Sequence, residues 1–441
     1  MQSLPLLAPA DAARPVAYLQ GRAVSVAQFC AHVEAIAQRL PPAGSMLNLC
    51  EDRYRFLAAY AAALSVGHAV LLPPSRAEQI VAEVGNAHAG SYRFEDEDVA
   101  AAIEMGTFLI SAAGNEECPH FIPADRTVMI GCTSGSTGQP KAYPKLWRSV
   151  HGSSARNAAA IRQALGIDGG VVPAIVATVP PQHMYGMELS ILLPLIGGMA
   201  VHAGRPLFPA DIALALSELP APRVLVSTPL HLRTLVESSQ LFPETALIVS
   251  ATAPLDRELA AAVEARLGGQ LLEMFGSTET CVIACRRTAN GEAWRAHEGV
   301  ELHPRVDGTL VTAPWFVEPI LLQDIVELRG DGEFIVRGRS SDMIEVAGKR
   351  ASLADLTQRL LAVEGVRDAV LFQPQPDSVA TIRRLAALVV APGCNARQIR
   401  ERLAASVDPA FLPRPLKIVD ALPRNELGKL PRERLLAMLQ K

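Results

Sequence analysis

A dense run of glycine, serine and threonine follows a short apolar segment at residues 127–130. Side chains this small leave backbone N–H groups and hydroxyls free to surround a polyphosphate, and a lysine at the end adds a mobile positive charge. The run lacks the Gly-Lys-Ser/Thr ending of a Walker A loop. We therefore predict a polyphosphate-binding loop of another kind rather than a flexible turn. The run is Thr133-Ser134-Gly135-Ser136-Thr137-Gly138-Gln139-Pro140-Lys141.

Six further polar motifs follow in order along the chain, several of them directly after an apolar, strand-like run. A lone histidine in such a place is more often structural than functional, so no single motif decides the chemistry. The motifs are 181–186 (PQHMYG), 250–254 (SATAP), 273–279 (EMFGSTE), 323–324 (QD), 338–350 (GRSSDMIEVAGKR) and 422–430 (LPRNELGKL).

The elements that position these motifs show a repeated alternation of strand and helix patterns. Residues 16–26 predict two short strands around Gly21, and residues 27–40 predict a helix that ends at Pro41-Pro42. Because the later strand-like runs are apolar on both faces and rich in β-branched residues, they favour α/β layers with largely parallel sheets. The predicted strand and helix pairs are 46–50 and 54–66, 69–74 and 77–84, 171–180 and 187–195, 224–229 and 231–238, and 246–255 and 257–267.

The pattern changes after Pro314, where short runs separated by Gly330 and Gly332 predict antiparallel strands. The end of the chain predicts a compact α+β unit with helices at 353–363 and 396–405 and strands at 368–373, 385–391 and 415–419. We expect a large N-terminal domain, residues 1–338, and a small mobile C-terminal domain, residues 339–441.

Composition limits the class of protein. The 441 residues are 49% hydrophobic and 20% charged with a net charge of −4, which indicates a globular enzyme and argues against a dedicated nucleic-acid binder. Residues 340–441 hold 16 basic and 11 acidic side chains, whereas the rest holds 25 and 34. This imbalance favours a polyanionic or acidic partner, unless it is a chance feature of the surface.

Cysteine usage and hydropathy bear on location. The seven cysteines form no CxxC pair, so neither a disulfide framework nor a zinc site is indicated, and reduced thiols predict a cytoplasmic protein. No apolar run reaches the roughly 20 residues needed to cross a bilayer, so we expect no membrane span.

Taken together and in this order, the loop and the six motifs resemble those of the adenylate-forming superfamily, which includes acyl- and aryl-CoA synthetases, nonribosomal peptide adenylation domains and firefly luciferase. The resemblance extends over roughly residues 15–435. It implies ATP and Mg²⁺ as cofactors. It also implies that Thr278 binds the α-phosphate, that Glu279 ligates Mg²⁺, that His183 lines the carboxylate pocket, and that Lys429 reaches the α-phosphate and the reacting carboxylate. The ATP-binding residues that it implies are Thr133, Ser134, Gly135, Ser136, Thr137, Gly138, Lys141, Ser250, Ala251, Phe275, Gly276, Asp324 and Arg339.

The sequence departs from the family pattern in the region of the predicted domain boundary. Leu322-Gln323 stand where Thr-Gly usually precedes Asp324, and Ser341 stands at the hinge position, which is usually Asp or Lys. Glu345 replaces a common Lys. Since a small polar residue can still rotate, we expect Ser341 to serve as the hinge.

The resemblance implies an AMP-forming acid–thiol ligase. We expect it to adenylate an aryl acid and to transfer the acyl group to coenzyme A or to the phosphopantetheine arm of an acyl carrier protein. The compact chain resembles the ligases of aryl polyene and xanthomonadin-type pigment pathways. Alternatives are a medium-chain fatty acyl-CoA synthetase, a catalytically dead scaffold that binds nucleotide or carrier protein, and a P-loop kinase, which would release ADP rather than AMP.

Overall fold

The computed structural model describes residues 2–110, 120–134, 140–339, 343–346, 349–374, 385–425, 428 and 430–440. For residues 105–110, 133–134, 140, 343, 345 and 349–350 it describes the backbone only. The chain divides into a larger unit, Met1–Val300 with Ala313–Glu318, and a smaller unit, Glu301–Thr312 with Pro319–Lys441. The predicted domain boundary at 338/339 stays a prediction.

The larger unit alternates strands and helices, as the sequence predicts. Its strands are β1 (Ser3–Pro5), β2 (Pro15–Leu19), β3 (Arg22–Ser25), β4 (Ser45–Asn48), β5 (Ala69–Leu72), β6 (Ser91–Phe94), β7 (Phe121–Pro123), β8 (Thr127–Ser134), β9 (Pro140–Leu146), β10 (Ala174–Ala177), β11 (Ala200–His202), β12 (Arg223–Ser227), β13 (Leu247–Ser250), β14 (Gln270–Ser277), β15 (Cys281–Arg286) and β16 (Trp294–Ala296). Its helices are α1 (Val26–Ala37), α2 (Arg53–Ser65), α3 (Glu78–Asn86), α4 (Asp96–Ile110), α5 (Trp147–Leu165), α6 (Met184–Met187), α7 (Leu193–Ile196), α8 (Pro209–Ser217), α9 (Pro229–Glu237) and α10 (Arg257–Leu267).

Two sheets form the framework of the larger unit. One has the order β6-β4-β5-β8-β9, in which β9 alone runs antiparallel. The other runs β16-β15-β14-β13-β12-β10-β11-β2-β3, and its strands from β14 to β2 are parallel. This confirms the predicted α/β class with largely parallel sheets.

Strand β12 shows why the central strands read as continuous apolar runs. Val224 and Val226 face a core that includes α2 and α5, whereas Leu225 faces a second core with α8, α9 and α10. Each strand is therefore buried on both faces, which is the pattern that predicted parallel pairing.

The helix predicted at 187–195 has a different form. It consists of α6, a π-helical turn at Glu188–Leu192, and α7. Such π turns occur frequently at functional sites. Within the described ranges no helix is both long and apolar enough to cross a bilayer.

The smaller unit is built mostly from antiparallel pairs. Three strands have the order β17-β18-β19, β20 pairs with β21, and β22 pairs with β23. A last sheet, β24-β25-β26, packs with α11 and α12 in one apolar core. The elements are β17 (Glu301–Arg305), β18 (Gly308–Thr312), β19 (Ile320–Leu322), β20 (Asp324–Gly330), β21 (Glu333–Arg339), β22 (Met343–Val346), β23 (Lys349–Ser352), β24 (Asp368–Phe372), β25 (Ala386–Val390), β26 (Leu416–Ile418), α11 (Leu353–Leu361), α12 (Ala396–Leu403) and α13 (Arg432–Gln440). The predicted C-terminal helices and strands are confirmed.

Candidate active site

The predicted polyphosphate loop connects β8 to β9. The two strands pair antiparallel with Thr133 opposite Lys141, so the loop begins where an inner strand of the sheet ends. Lys141 is exposed, and its Nζ lies 5.1 Å from the centre of the Tyr143 ring. Gly135, Ser136, Thr137 and Gly138 lie outside the described residues, and Ser134 and Thr133 are described in backbone only.

Two of the predicted motifs lie beside Gly131 on β8. A Cβ atom added to this glycine would lie 3.2 Å from Thr278 Cγ2 and 3.3 Å from Met184 Cε. Thr278 belongs to the 273–279 motif, and Met184 adjoins His183 in the 181–186 motif. The strand that leads to the predicted polyphosphate loop therefore passes close to the two other motifs, and a side chain at position 131 would crowd them.

Thr278 and Glu279 lie in a tight turn between β14 and β15, residues 276–281, which we call the TE turn. Ser277 Oγ accepts hydrogen bonds from the N–H groups of Glu279 (3.2 Å) and Thr280 (3.3 Å). Gly276 is required here because a Cβ atom would lie 2.1 Å from the Cys281 carbonyl oxygen. Cys281 itself has φ +62°, a left-handed conformation that costs energy for a residue other than glycine.

The Glu279 carboxyl is half-buried and is kept ionised by its neighbours. Burial raises the pKa of this group, but hydrogen bonds from Ser277 and Tyr143 and the nearby Lys145 ammonium together bring the pKa below its ordinary value. An ionised carboxylate of this kind suits Mg²⁺, which takes one or two protein carboxylates together with phosphate oxygens. Among the described residues no group of three or more His, Cys, Asp or Glu side chains forms a ready-made metal cage.

A polar cluster lies on the core side of the TE turn. Glu188, in the π turn, accepts hydrogen bonds from Ser153 Oγ (2.7 Å), Asn157 Nδ2 (3.2 Å) and the Val282 N–H (3.1 Å). Lys145, on β9, donates from Nζ to the Glu279 carbonyl oxygen. Both side chains are buried, with exposed fractions of 1% for Glu188 and 7% for Lys145.

The 181–186 and 250–254 motifs lie at the ends of parallel strands of the larger sheet. His183 precedes α6 and is half-buried, and Tyr185 Oη donates to the carbonyl oxygens of Ser227 and Val249, 3.0 Å in each case. Ser250 ends β13, and within the described part of the chain its buried Oγ has no hydrogen-bond partner. Ala251 follows it and is buried. The 181–186 and 250–254 motifs are thus neighbours through Tyr185.

Phe275 lies on β14 beside Gly276, before the TE turn. Its ring centre is 5.3 Å from that of Trp294, with the planes inclined by 48°. Glu273, earlier on the same strand, is buried and bound by Arg286 (2.7 Å) and Thr288 (2.6 Å), so it serves the packing of the strand rather than a ligand.

A buried arginine binds the carboxyl end of β10 near the π turn. Arg53, the first residue of α2, is fully buried and donates to the carbonyl oxygens of Ala177 (2.9 Å) and Val179 (2.8 Å) and to Ser190 Oγ. Burial, together with the positive charge of Arg205, lowers the pKa of Arg53 to about 9. It therefore joins the end of β10 to the π turn that carries Glu188.

In the smaller unit the structure pairs Asp324 with Arg339. The two residues stand opposite each other on β20 and β21, and Arg339 Nε lies 3.2 Å from Asp324 Oδ1. Asp324 is 8% exposed, and its carbonyl oxygen accepts a hydrogen bond from Thr309. The two residues, both predicted to bind ATP, are thus neighbours, and their place relative to the larger unit stays a prediction.

The predicted hinge Ser341 and the predicted catalytic Lys429 lie outside the described residues. The segment before Lys429 is fixed by Arg424. Its guanidinium forms two bonds to the Asp368 carboxylate, 2.6 and 3.0 Å, and one to the Gly428 carbonyl oxygen, 2.7 Å.

Sequence reasoning missed Arg53, Lys145 and Glu188. Glu188 carried a detectable signal, because it is the one charged residue in the apolar stretch 187–195. Lys145 lies in a strand next to the phosphate loop, but nothing in the local sequence indicates that it points into the core. Lys145 and Glu188 both bind the TE turn, which lies 134 and 94 residues further along the chain, so only the tertiary fold brings them together.

Comparison with known proteins agrees with these motifs. The AMP-binding enzyme family model matches residues 11–339. The 4-coumarate–CoA ligase of Rhodobacter capsulatus is 31% identical over 301 residues, which cover 67% of this chain and 73% of the relative. Component E of the enterobactin synthase of Escherichia coli is 25% identical over 71% of this chain and 65% of the relative.

Solved structures support the fold. The O-succinylbenzoate coenzyme A synthetase of Bacillus subtilis in complex with ATP and magnesium ion superimposes with a TM-score of 0.77 at 18% identity, covering 96% of each chain. The amide bond synthetase McbA of Marinactinospora thermotolerans gives a TM-score of 0.76 at 18% identity, covering 97% of this chain and 98% of that one. The strand before the phosphate loop, the TE turn and the match across residues 11–339 lead to one assignment: the chain belongs to the AMP-binding enzyme family and is an AMP-forming ligase.

Proposed function

We propose that this ligase uses MgATP to adenylate an aryl carboxylic acid and then transfers the acyl group to a pantetheine thiol. The observation that carries the proposal is the meeting of β8, the TE turn and the 181–186 motif at Gly131. It brings the strand that precedes the phosphate loop to the residues that we expect to bind the α-phosphate and the acid.

In the adenylation step, a carboxylate oxygen of the acid attacks the α-phosphorus of ATP, and the bond to the leaving pyrophosphate breaks. No proton needs to move, so the protein must mainly position the reactants and balance charge. We assign the β- and γ-phosphates to the loop 133–138 with Lys141. Thr278 binds the α-phosphate, and Lys429 is expected to stabilise the charge that develops there.

The ionised Glu279 carboxylate is the residue that would hold Mg²⁺, together with phosphate oxygens of ATP. Bound there, the ion would neutralise phosphate charge. We place adenine against Phe275 and Gly276, near Ser250 and Ala251. Ser250 Oγ, which has no hydrogen-bond partner among the residues that the structure describes, is suited to a hydrogen bond with a ligand in this place.

In the transfer step, the sulfur of the thiol attacks the acyl carbon, AMP leaves with the former carboxylate oxygen, and the thiol proton passes to solvent. We propose that the C-terminal domain first rotates about Ser341 and withdraws Lys429, so that one chain uses two arrangements in turn. Arg339 and Asp324 would hold the ribose.

The relatives favour an aryl acid, since the 4-coumarate–CoA ligases match over two thirds of this chain. We place His183 at the acid carboxylate. The acceptor is the phosphopantetheine of an acyl carrier protein or coenzyme A, and the basic residues of segment 340–441 suit both. A role in aryl polyene or xanthomonadin-type synthesis and a cytoplasmic location stay predictions.

The test is acid-dependent exchange of labelled pyrophosphate into ATP, measured over a panel of aryl acids and medium-chain fatty acids. We expect exchange with aryl acids, and AMP rather than ADP as the product once a thiol is added. Preference for medium-chain acids would favour the acyl-CoA synthetase alternative. Absence of exchange with every acid, by a protein that still binds ATP, would favour the scaffold.

A second experiment separates the acceptors. The adenylate formed from the preferred acid is offered equal concentrations of coenzyme A and of a holo acyl carrier protein, and the thioesters are counted by mass spectrometry. The apo carrier protein, which lacks the thiol, is the control. Thioester on coenzyme A alone would contradict the carrier-protein branch of the proposal.

A further inference from the structure

Two ionisable side chains lie inside the larger unit with no place in the reaction described above. Lys145 comes from β9 and Glu188 from the π turn, and they approach the same short segment from the core side. Burying an isolated charge costs several kcal/mol, so an apolar side chain would suit these places better if they only filled space. The charges must therefore answer a polar requirement of their surroundings.

Two backbone groups, one within the TE turn and one directly after it, set that requirement. The Lys145 ammonium binds the carbonyl oxygen of Glu279, and the Glu188 carboxylate binds the N–H of Val282 with both oxygens, at 3.1 Å each. A charged partner makes these hydrogen bonds about twice as strong as bonds between neutral groups. One bond fixes the turn at the residue that we assign to Mg²⁺, and the other fixes it where β15 begins.

The turn needs such support because its backbone is strained. Cys281 is left-handed, and the backbone at Gly276 lies too close to Cys281 for any side chain. Conformations of this kind persist only where neighbouring groups hold them. Ser277 and Thr280 support the turn from within, whereas Lys145 and Glu188 hold it from the core.

The two charges also depend on each other and on a second layer of partners. Burial raises the pKa of Glu188, whereas hydrogen bonds from the Val282 N–H and from Ser153 and Asn157 of α5, together with the Lys145 ammonium, favour its ionised form. Asn157 in turn accepts from His297 Nε2 at 3.1 Å. The carboxylate is thus held in one orientation by groups from α5 and β15.

We propose that Lys145 and Glu188 are positioning residues for adenylation: as a pair of opposite charges beneath the TE turn, they fix the turn that presents Thr278 and Glu279 to the nucleotide. This inference rests on the proposed function. Neither residue touches the substrate, so both act through the backbone of the turn.

The experiment uses the full chain and the acid that supports the fastest exchange. Glu188→Gln keeps the shape of the side chain and one acceptor but removes the charge, and Lys145→Met removes the charge and the donor. Lys145→Arg keeps both. The matched control is Glu264→Gln, because Glu264 also binds a backbone N–H, that of Leu271 at 2.7 Å, at the opposite end of β14.

We expect kcat for pyrophosphate exchange to fall about 10- to 100-fold in Glu188→Gln and Lys145→Met, with the KM for the acid unchanged, because small displacements of positioned groups cost rates of this size. Lys145→Arg should recover part of the rate. The double variant Glu188→Gln/Lys145→Met should lose less than the product of the two single losses, since the residues share one turn.

Hydrogen–deuterium exchange gives a readout that does not need activity. Peptides that cover residues 276–282 should exchange faster in Glu188→Gln and Lys145→Met than in the native chain, and Glu264→Gln should not change them. Native kcat and native exchange in both variants would overturn the inference. A lowered Tm with native kcat would overturn it too, because it would show a structural role only. If the native chain adenylates no acid, the proposed function fails, and the deuterium result still decides the role of the two charges.

Discussion

The two units of the molecule differ in how many charged side chains they bury. In the described part of the larger unit, Arg53, Lys145, Glu188 and Glu273 are buried, and all four are hydrogen-bonded to backbone or side-chain groups. In the described part of the smaller unit, Asp324 is the one buried charged side chain. The larger unit thus accepts the desolvation of charges in order to hold strand ends and a strained turn in fixed positions.

The smaller unit has an apolar core, and the ion pairs along its helices α11 and α12 are exposed. Arg397 and Glu401, one turn apart on α12, are 82% and 62% exposed, and Arg359 and Asp355 on α11 are 47% and 51% exposed. Exposed pairs add little to stability. The difference indicates that buried, hydrogen-bonded charges are concentrated in the larger unit, and we expect the smaller unit to contribute to the chemistry through few residues.

The largest effect should come from Lys429, the smaller-unit charge that we propose to act at the reacting groups. We expect Lys429→Ala to lower the rate of pyrophosphate exchange by about 10²- to 10³-fold, as removal of a group that stabilises developing charge does. Thermal unfolding should be unchanged. Arg397→Ala, which removes an exposed positive charge of the same unit, is the control and should retain the native rate.

Full-speed adenylation by Lys429→Ala, with the preferred acid supplied, would contradict both the catalytic assignment and the claim that the smaller unit acts through few residues. A comparable loss in Arg397→Ala would instead point to the net charge of the unit as the cause.

In the larger unit, loss of a buried charge should appear as a loss of stability. Arg53→Met keeps the length of the side chain but leaves the carbonyl oxygens of Ala177 and Val179 without their donor. Unsatisfied buried groups cost about 1–3 kcal/mol each, so we expect the free energy of unfolding to fall by about 3 kcal/mol. Urea unfolding followed by tryptophan fluorescence measures it. A fall in the free energy of unfolding below about 1 kcal/mol would mean that Arg53 does not stabilise the end of β10.

The polar layer behind Glu188 should make stability depend on pH. Burial, with a smaller contribution from Arg156, lowers the pKa of His297 to about 4. Because the unfolded chain binds the proton first, this stability is complete above about pH 6.5 and is lost as the pH falls towards 4, by on the order of 3 kcal/mol.

His297→Gln, whose amide can still donate to Asn157, should remove most of this acid-side slope when unfolding is measured between pH 7 and pH 4. The control is His303→Gln on β17, where the side chain is 47% exposed and the slope should remain. An unchanged slope in His297→Gln would show that other groups cause the pH dependence.

A smaller effect on the exchange rate is expected from Arg424, which restrains the segment before Lys429. Arg424 joins the Asp368 carboxylate to the Gly428 carbonyl, directly before Lys429. We expect Arg424→Ala to lower kcat for exchange about 10-fold by loosening this segment, less than loss of Lys429 itself. Arg432→Ala, which removes an exposed arginine on α13, is the control. Equal losses in Arg424→Ala and Lys429→Ala would mean that the segment collapses without the arginine.

The sequence predicts the local secondary structure of this molecule better than it predicts contacts between distant parts of the chain. Local patterns located the strands well: the run at 46–50 overlaps β4, and the runs at 69–74 and 246–255 contain β5 and β13. Periodicity suffices for them, since each strand is apolar on both faces. It failed at the π turn, where the apolar pattern alone suggests a continuous helix.

The candidate site divides in the same way. Thr278, Glu279 and His183 each stand in a short sequence motif, and only the resemblance to a known family indicated that these motifs belong to one site. Lys145 and Glu188 meet the TE turn across 134 and 94 residues of chain, and no local rule connects such distant positions. A buried partner for a backbone group is a property of the tertiary fold, which a single sequence does not reveal.

The smallest effect tests the exposed side of the comparison. Arg397→Ala removes the pair with Glu401, whose side chains are 2.8 Å apart. Arginine precedes the acid and lies in the first turn of α12, where the helix dipole disfavours a positive charge, and alanine has the higher helix propensity. These terms offset the pair, so we expect unfolding to change by less than about 0.5 kcal/mol. Urea unfolding at low and high salt measures it, with Arg53→Met beside it. A loss comparable to that of Arg53→Met would remove the distinction between the two units, because an exposed pair would then matter as much as a buried charge.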